Sequence, residues 1–395
     1  MPSLTSSPRD DYAKQQNGFV MRQPIKYFKV LTTALFLLGI ASCAVVQPKL
    51  EPKLAVSQSV SLKKAVDVRD AALTPVDAAQ PAQRTRILFT GDITLGRCIA
   101  RRALSANVYT HNYNYPFDLV ADDLRAADIT VGSLDGSLSD ESAPMPCSHS
   151  MNLIGPARMA EGLQFAGFDV ITIATNHIKD CGVKGFECDN KAMFDTIHAL
   201  AASGIQPVGA GKDLNEARQP VIVEHGGIRF AFLGISQIEA RVWAGENTPG
   251  TAPLAPEYIE QIKADIASAK KIADVVIVLP HWGVEYAPAP DDIQRVWARE
   301  FINAGASLVI GNHPHITQPR DVFSDKLAFY ALGNFVFDQE QSFRRESIVV
   351  EMTFIGGEIE SWKLRAVGIN YYTFQTYWAD EAESAYILAR AGEGQ

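Results

Sequence analysis

The 395-residue chain has no basic excess: 36 Lys and Arg face 45 Asp and Glu, for a formal net charge of −9. Without a global positive field it has no broad face to hold nucleic acid, although a local groove for a polyanion is still allowed. Cysteine is scarce, at five residues, and this excludes a disulfide scaffold. The extended apolar run at Val30 to Val46 contains Thr32, Thr33 and Ser42. It is marginal against the ~20 mostly apolar residues that a spanning helix needs. Aromatic residues are missing from Ala44 to Arg86. What remains is ordinary: 47% apolar and 21% charged residues exclude wholesale disorder and collagen-like repeats. The length allows two or three domains, or one large domain with appendages.

The N-terminus reads as an address. Arg22, Lys26 and Lys29 precede the apolar run Val30 to Ile40, which closes on Ala41-Ser42-Cys43. A basic start, a short apolar stretch and small residues before a cut form a secretory signal. Leu38 to Cys43 resembles a bacterial lipobox, in which the cysteine becomes the lipidated first residue. Cys43 is therefore the expected lipidation site, and 1–43 the signal segment; an uncleaved anchor helix is the alternative. The 20 residues before Met21 are polar, which makes Met21 a second candidate start. Residues 44–85 are rich in Pro, Ala, Gln and Val and cannot bury enough apolar surface to offset chain entropy. They are expected to act as a flexible tether with an r.m.s. span of ~35 Å. The body of the protein then works outside the cytoplasm, attached to the envelope membrane.

From Ile87 onward short β-branched or apolar runs recur: ILFTGD, DITVGSLD, DVITIATNH, IRFAFLGIS, DVVIVLPHWG, SLVIGNHPH and LAFYALGN. Runs such as VVIVL are apolar on both faces and predict strands covered on both sides. Helical patterns lie between them at Phe117 to Ala126, Lys191 to Ser203, Ala255 to Lys271 and Asp291 to Ala304. The alternation predicts an α/β layered fold over 86–370, with an antiparallel finish at Ser347 to Phe354 and Ser361 to Val367. Residues 371–395 are set apart as a tail.

These runs end in polar clusters: Asp92, Asp135, Asn176-His177, His281, Asn312-His313-Pro314-His315 and Asn334. One such ending is ordinary turn chemistry. Several converging outside the carboxyl ends of strands mark a shared site. Carboxylates and imidazoles without thiolates suit Zn, Mn or Fe. Two such cations, about 3.5–4 Å apart, can hold the attacking and leaving oxygens of a displacement. Asp135 is the natural bridging carboxylate. Pro314 lets His313 and His315 splay toward different metals.

FTGDITLGR, YPFDLVADDLRAADITVGSLD, GFDVITIATNHIKDCG, GIQPVGAG, LPHWGVEY, GASLVIGNHPHITQP and YALGNFVFD resemble, in order and spacing, the CapA family of capsule synthesis proteins. That family is linked to poly-γ-glutamate capsule biosynthesis. The resemblance implies a metallophosphatase-like four-layer α/β/β/α sandwich with a dinuclear centre. It places Asp92, Asp135, Asn176, His281, His313 and His315 at metal-ligand positions, and His177 where a histidine meets substrate oxygen. There are departures. Thr94 stands where the broader metallophosphatase pattern has a histidine, a loss common in the CapA family. Ser133-Leu134-Asp135 replaces the family's usual Asn-Leu-Glu, and Thr175-Asn176-His177 replaces its Asn-Asn-His. Each bears on how fully the metal sites fill.

Cys98, Cys147, Cys181 and Cys188 form an even set in an exported chain, with three possible connectivities. Cys181 and Cys188, close in sequence after the Asn176-His177 turn, are the candidate disulfide. Trp282 and Tyr286 either wall the pocket or belong to the core. Glu285 either orients His281 or binds a basic group. The expected function is a membrane-tethered, metal-dependent hydrolase acting on an anionic polymer or phosphoester. The competing reading, from a different class, is a non-catalytic polymer-binding scaffold of a membrane synthase complex.

Overall fold

The structure is a computed structural model, and it describes residues 83–105, 111–141, 147, 151–181 and 190–392. The signal segment with Cys43, residues 44–82 of the expected tether and Cys188 lie outside the described residues; Arg84 and Thr85, at the expected end of the tether, belong instead to the first strand.

Strands β1 (Arg84–Ile93), β2 (Ile129–Leu134), β3 (Val170–Thr172) and β4 (Gln206–Val208) run parallel side by side. Next come β5 (Val221–His225), β6 (Ile228–Ser236), β7 (Val275–His281), β8 (Leu308–Ile310), β9 (Arg320–Phe323) and β10 (Lys326–Phe329). These form a second sheet in the order β9-β10-β8-β7-β6-β5. Strand β11 (Asn334–Val336) returns to the first sheet and pairs parallel with β1. The antiparallel run β12 (Glu346–Ile355), β13 (Glu358–Ile369) and β14 (Thr376–Trp378) completes that sheet on the other side of β1. The late antiparallel strands therefore lie where the pattern predicted them. The residues after Asn370 add β14 and a helix, Glu381–Arg390, whose Ile387 is buried against the sheets.

The helices that cover the sheets are α1 (Arg97–Ser105), α2 (Ala160–Ala166), α3 (Lys191–Ala202), α4 (Ile259–Ala269) and α5 (Asp292–Ala304). Among the described residues no helix is long and apolar enough to cross a membrane.

The period-2 alternation of strands explains the layering. In β1, Ile87 and Phe89 point toward the second sheet, while Leu88 points toward the helices. In β7, Ile277 and Leu279 meet the first sheet, whereas Val276 and Val278 meet Ile262, Ile266, Trp297 and Phe301 of α4 and α5. On the far side, Leu88, Ile171 and Val349 pack with Ile99, Leu163, Met193 and Leu200 of α1 to α3. The order is helix, sheet, sheet, helix, as expected. Each fully buried Leu, Ile or Val contributes about 1.5–3 kcal/mol. Helix α5 opens with a capping box between Asp291 and Gln294 and closes at Gly305 in left-handed conformation. The Phe117–Ala126 pattern is shorter than predicted: a single turn at Tyr115–Phe117, containing Pro116, precedes a helix over Ala121–Arg125.

Candidate functional site

The layers leave the carboxyl ends of β1, β2, β3, β7 and β8 at one edge, and the polar endings meet there. Asp92 is the penultimate residue of β1 and fully buried. Its Oδ1 accepts from the Ser133 hydroxyl at 3.0 Å and its Oδ2 from the His313 amide at 3.0 Å. Ser133, which stands for the Asn expected in the Asn-Leu-Glu block, therefore holds Asp92. Thr94 donates its hydroxyl to the Asp135 carbonyl at 2.8 Å, so it braces the site from the place where the wider pattern has a histidine.

His281 ends β7, and its Nε2 lies 3.0 Å from Asn176 Oδ1 and 3.2 Å from His313 Nδ1. His281 Nε2 also lies 3.7 Å from Asp135, and its Nδ1 lies 3.8 Å from Asp92. His315 bridges the same two carboxylates, at 3.4 Å from Asp92 and 3.6 Å from Asp135. Its Nδ1 also meets Asn334 Oδ1 at 2.9 Å. His313 and His315 do diverge: the first turns to His281, the second to Asn334. Both sit at positive φ, 99° and 60°, a strained backbone that the surrounding packing must hold.

All six residues assigned to metal positions thus come together. Asn334, a strand ending left out of that set, joins them. Whether they suit a cation can be judged from their own chemistry. Among the described residues no three His, Cys, Asp or Glu side chains stand ready as a cation cage; several donors close on one another instead. Yet both carboxylate oxygens of Asp135, and Nδ1 of His281, are buried without a hydrogen-bond partner. A buried carboxylate with nothing to satisfy it is costly. Burial pushes the Asp135 carboxyl up to about 6, partly offset by His177 and His315. Burial and the neighbouring histidines hold His281 and His313 well below the ordinary imidazole range. Neutral imidazoles beside an unsatisfied carboxylate are donors that fit a divalent cation.

His177 differs from its neighbours. Its Nδ1 is 2.6 Å from Asp180 Oδ2, and the same oxygen accepts from the Leu153 amide at 2.7 Å. Burial opposes a charge on His177, but the carboxylates of Asp135 and Asp180 outweigh it and carry the imidazole up to about 9. Asp180 is the functional residue that motif reading missed. Its signal was present, three residues on from His177 in NHIKD. An open cleft of about 370 Å³ lies over this region, lined by Met151, Asn176, His177, Glu239, Arg241 and His313 among others.

Trp282 belongs to the core: it is fully buried, stacks on Phe301 and Tyr330, and donates to the Tyr330 carbonyl at 2.9 Å. Tyr286 walls the site, its ring 6.1 Å from that of His315. Glu285 lines the cleft, while the hydrogen-bond contacts of the His281 ring run to Asn176 and His313. Away from the centre, Cys98 and Cys147 form a disulfide. Of the three pairings open to the four cysteines, only the one that also joins Cys181 to Cys188 is compatible with it.

The family model described as bacterial capsule synthesis protein PGA_cap matches residues 86–339. The PGA biosynthesis protein CapA of Bacillus subtilis (strain 168) is 32% identical over 265 residues, covering 67% of this chain and 66% of that protein. The capsule biosynthesis protein CapA of Bacillus anthracis is 30% identical over 287 residues, covering 72% of this chain and 67% of that protein. The chain thus spans about two thirds of the length of each. Among solved structures, the 5'-nucleotidase of Candida albicans SC5314 aligns at a TM-score of 0.40 and 13% identity, covering 78% of this chain and 56% of that one. That likeness is too distant to inform function.

Proposed function

Because the chain belongs to the bacterial capsule synthesis protein family PGA_cap, we propose that it is an exported, membrane-tethered protein of capsule-type polymer synthesis with a metal-dependent hydrolytic site. The observation that carries the catalytic part is the buried, unsatisfied Asp135 among neutral histidines. Asp92, Asp135, Asn176, His281, His313 and His315 would hold divalent cations, of which two are proposed. Such cations supply Lewis-acid polarisation of a phosphoryl or acyl oxygen.

The chain's own contribution is a placed proton. Asp180 holds Nδ1 of His177, leaving Nε2 for a substrate oxygen in the cleft. With its pKa carried up to about 9, His177 is protonated at neutral pH. It can donate from Nε2 to the oxygen that gains charge as the scissile bond breaks. A positioned donor of this kind contributes roughly 10²–10⁴ in rate. The substrate is an anionic polymer or a phosphoester released from one.

The test separates ligands from donor. Asp135→Ala and His281→Ala should lower bound metal, measured by elemental analysis, and abolish turnover of a model phosphoester together. His177→Ala should keep the metal and lose only turnover. If His177→Ala strips metal as badly as His281→Ala, the roles are wrongly assigned. A scaffold reading has its own support: Thr94 is committed to the Asp135 carbonyl where the wider pattern has a histidine. Full metal content without turnover would favour the scaffold.

A further inference from the structure

The loop that leaves β6, residues 237–249, forms one wall of the cleft. It is fastened at both ends beside the candidate site. The Gln237 amide donates to the His281 carbonyl at 2.9 Å, and its side-chain oxygen accepts from the Gly283 amide at 2.8 Å. At the far end Lys179, two residues beyond His177, donates to the Pro249 carbonyl at 2.7 Å. Between these ties Val242 is buried, and Trp243 packs edge-on to Tyr258 at 6.2 Å. A loop held at so many points presents its side chains in fixed places.

Glu239 and Arg241 of this loop line the cleft beside His177 and His313. Glu239 sits at φ 57° and ψ 83°, a left-handed backbone that residues other than glycine seldom adopt. Strain of this kind collects where ligands bind. The Glu239 carboxylate is ion-paired with the Arg241 guanidinium. Among the described residues that line the cleft, Arg241 alone is permanently cationic, while Asp180, Glu239 and Glu285 are acidic. The pair is open to water, with 52% of the Arg241 side chain and 37% of the Glu239 side chain exposed. An ion pair so exposed contributes little to stability. The guanidinium can therefore exchange its partner at small cost.

We propose that Arg241 grips the non-reacting oxygens of a phosphoryl group in the cleft, and that Glu239 holds the guanidinium until that group displaces it. The inference rests on the hydrolytic reading above and adds to it a substrate-binding residue and its resident competitor. A planar guanidinium matches two oxygens of one phosphoryl group through paired hydrogen bonds. A phosphoryl centre has oxygens enough for cations, His177 and a guanidinium at once, whereas an acyl centre offers a single carbonyl oxygen. The carboxylates around the cleft repel an anion, and Arg241 offsets them. A grip made equally in the ground and transition states acts on KM rather than on kcat. Glu239 is a positioning residue that acts through Arg241. Because its carboxylate competes for the same guanidinium, removing its charge should tighten binding.

The experiment titrates the full chain with inorganic phosphate by calorimetry and measures KM and kcat for a model phosphoester. Arg241→Gln should bind phosphate at least about tenfold more weakly and raise KM to match, with kcat changed much less. Arg241→Lys should recover only part of the affinity, because an ammonium lacks the fork. Glu239→Gln should bind phosphate about threefold more tightly and lower KM. Bound metal should be the same in all three variants. Phosphate affinity within about twofold of the parent in Arg241→Gln overturns the proposal. So does no gain in Glu239→Gln, acetate binding as tight as phosphate, or a parent that binds no phosphate. If the parent binds phosphate through Arg241 but turns nothing over, the grip stands and the hydrolytic reading falls. If turnover proceeds and KM ignores Arg241, the hydrolytic reading stands and the grip falls.

Discussion

His313 and His315 show what the site demands of single residues. Each occupies a left-handed backbone that a non-glycine side chain adopts at a cost of about 1–3 kcal/mol. The His313 amide bond to Asp92 helps to hold one of them in place. Asp180 acts at the same scale, through His177. Asp180→Asn should drop turnover about tenfold or more while leaving bound metal intact. Because the carboxylate raises the His177 pKa, the alkaline limb of the pH–rate profile should also move to lower pH. An unmoved profile would mean that Asp180 only supports the fold. Asp135 sets a second pH dependence. Its carboxyl, pushed by burial to about 6, must lose its proton before it can hold a cation. Metal affinity should be flat above that value and fall by up to about tenfold per pH unit below it. Calorimetric titration with Mn²⁺ across that range measures this; unchanged affinity at acid pH would exclude Asp135 as a ligand.

Strands β1 and β11 carry the element-scale constraint. Asp92 is in register with Asn334, and each follows a glycine, Gly91 and Gly333. A Cβ placed on Gly91 would lie 1.8 Å from the Gly333 carbonyl oxygen. The glycine in FTGD therefore lets two backbones touch so that an acid and an amide arrive side by side. Gly91→Ala should destabilise the fold by about 3 kcal/mol or more, measured by denaturant unfolding. Bound metal should fall with it, because Asp92 and Asn334 lose their register. A variant as stable as the parent would show that the strands can separate there without cost.

Across the whole molecule, the inter-sheet core and the outer covalent tie act on different parts. Phe230 and Phe354 meet edge-on at 5.3 Å between the two sheets, and no site residue belongs to that interior. The Cys98–Cys147 disulfide spans 49 residues and fixes the start of α1 to the segment that follows β2. On the chain-entropy model a loop of that length contributes about 4 kcal/mol. Cys98→Ser should lower unfolding stability by roughly that amount and leave bound metal unchanged, because no metal-position residue lies in the loop's anchor points. Peptide mapping without reduction should recover the Cys98–Cys147 link, and Cys181 joined to Cys188.

The sequence by itself determined the layered α/β plan, because alternation and two-faced apolar runs depend only on local order along the chain. It also determined which polar residues close the strands, since a strand ending is written in consecutive residues. It understated the short helices α1 and α2, which lean on tertiary burial of Ile99 and Leu163 more than on any long amphipathic pattern. Only the tertiary structure decided the partnerships. Asp180 took hold of His177, Asn334 of His315, and Thr94 of the Asp135 carbonyl, and Cys98 found Cys147 across 49 residues. It likewise brought Arg344 onto Tyr286, residues far apart in the chain. Apart from His177 and Asp180, three residues apart on one turn, these contacts join separate elements, and their distance is fixed by how the two sheets and their loops pack, which no local pattern encodes.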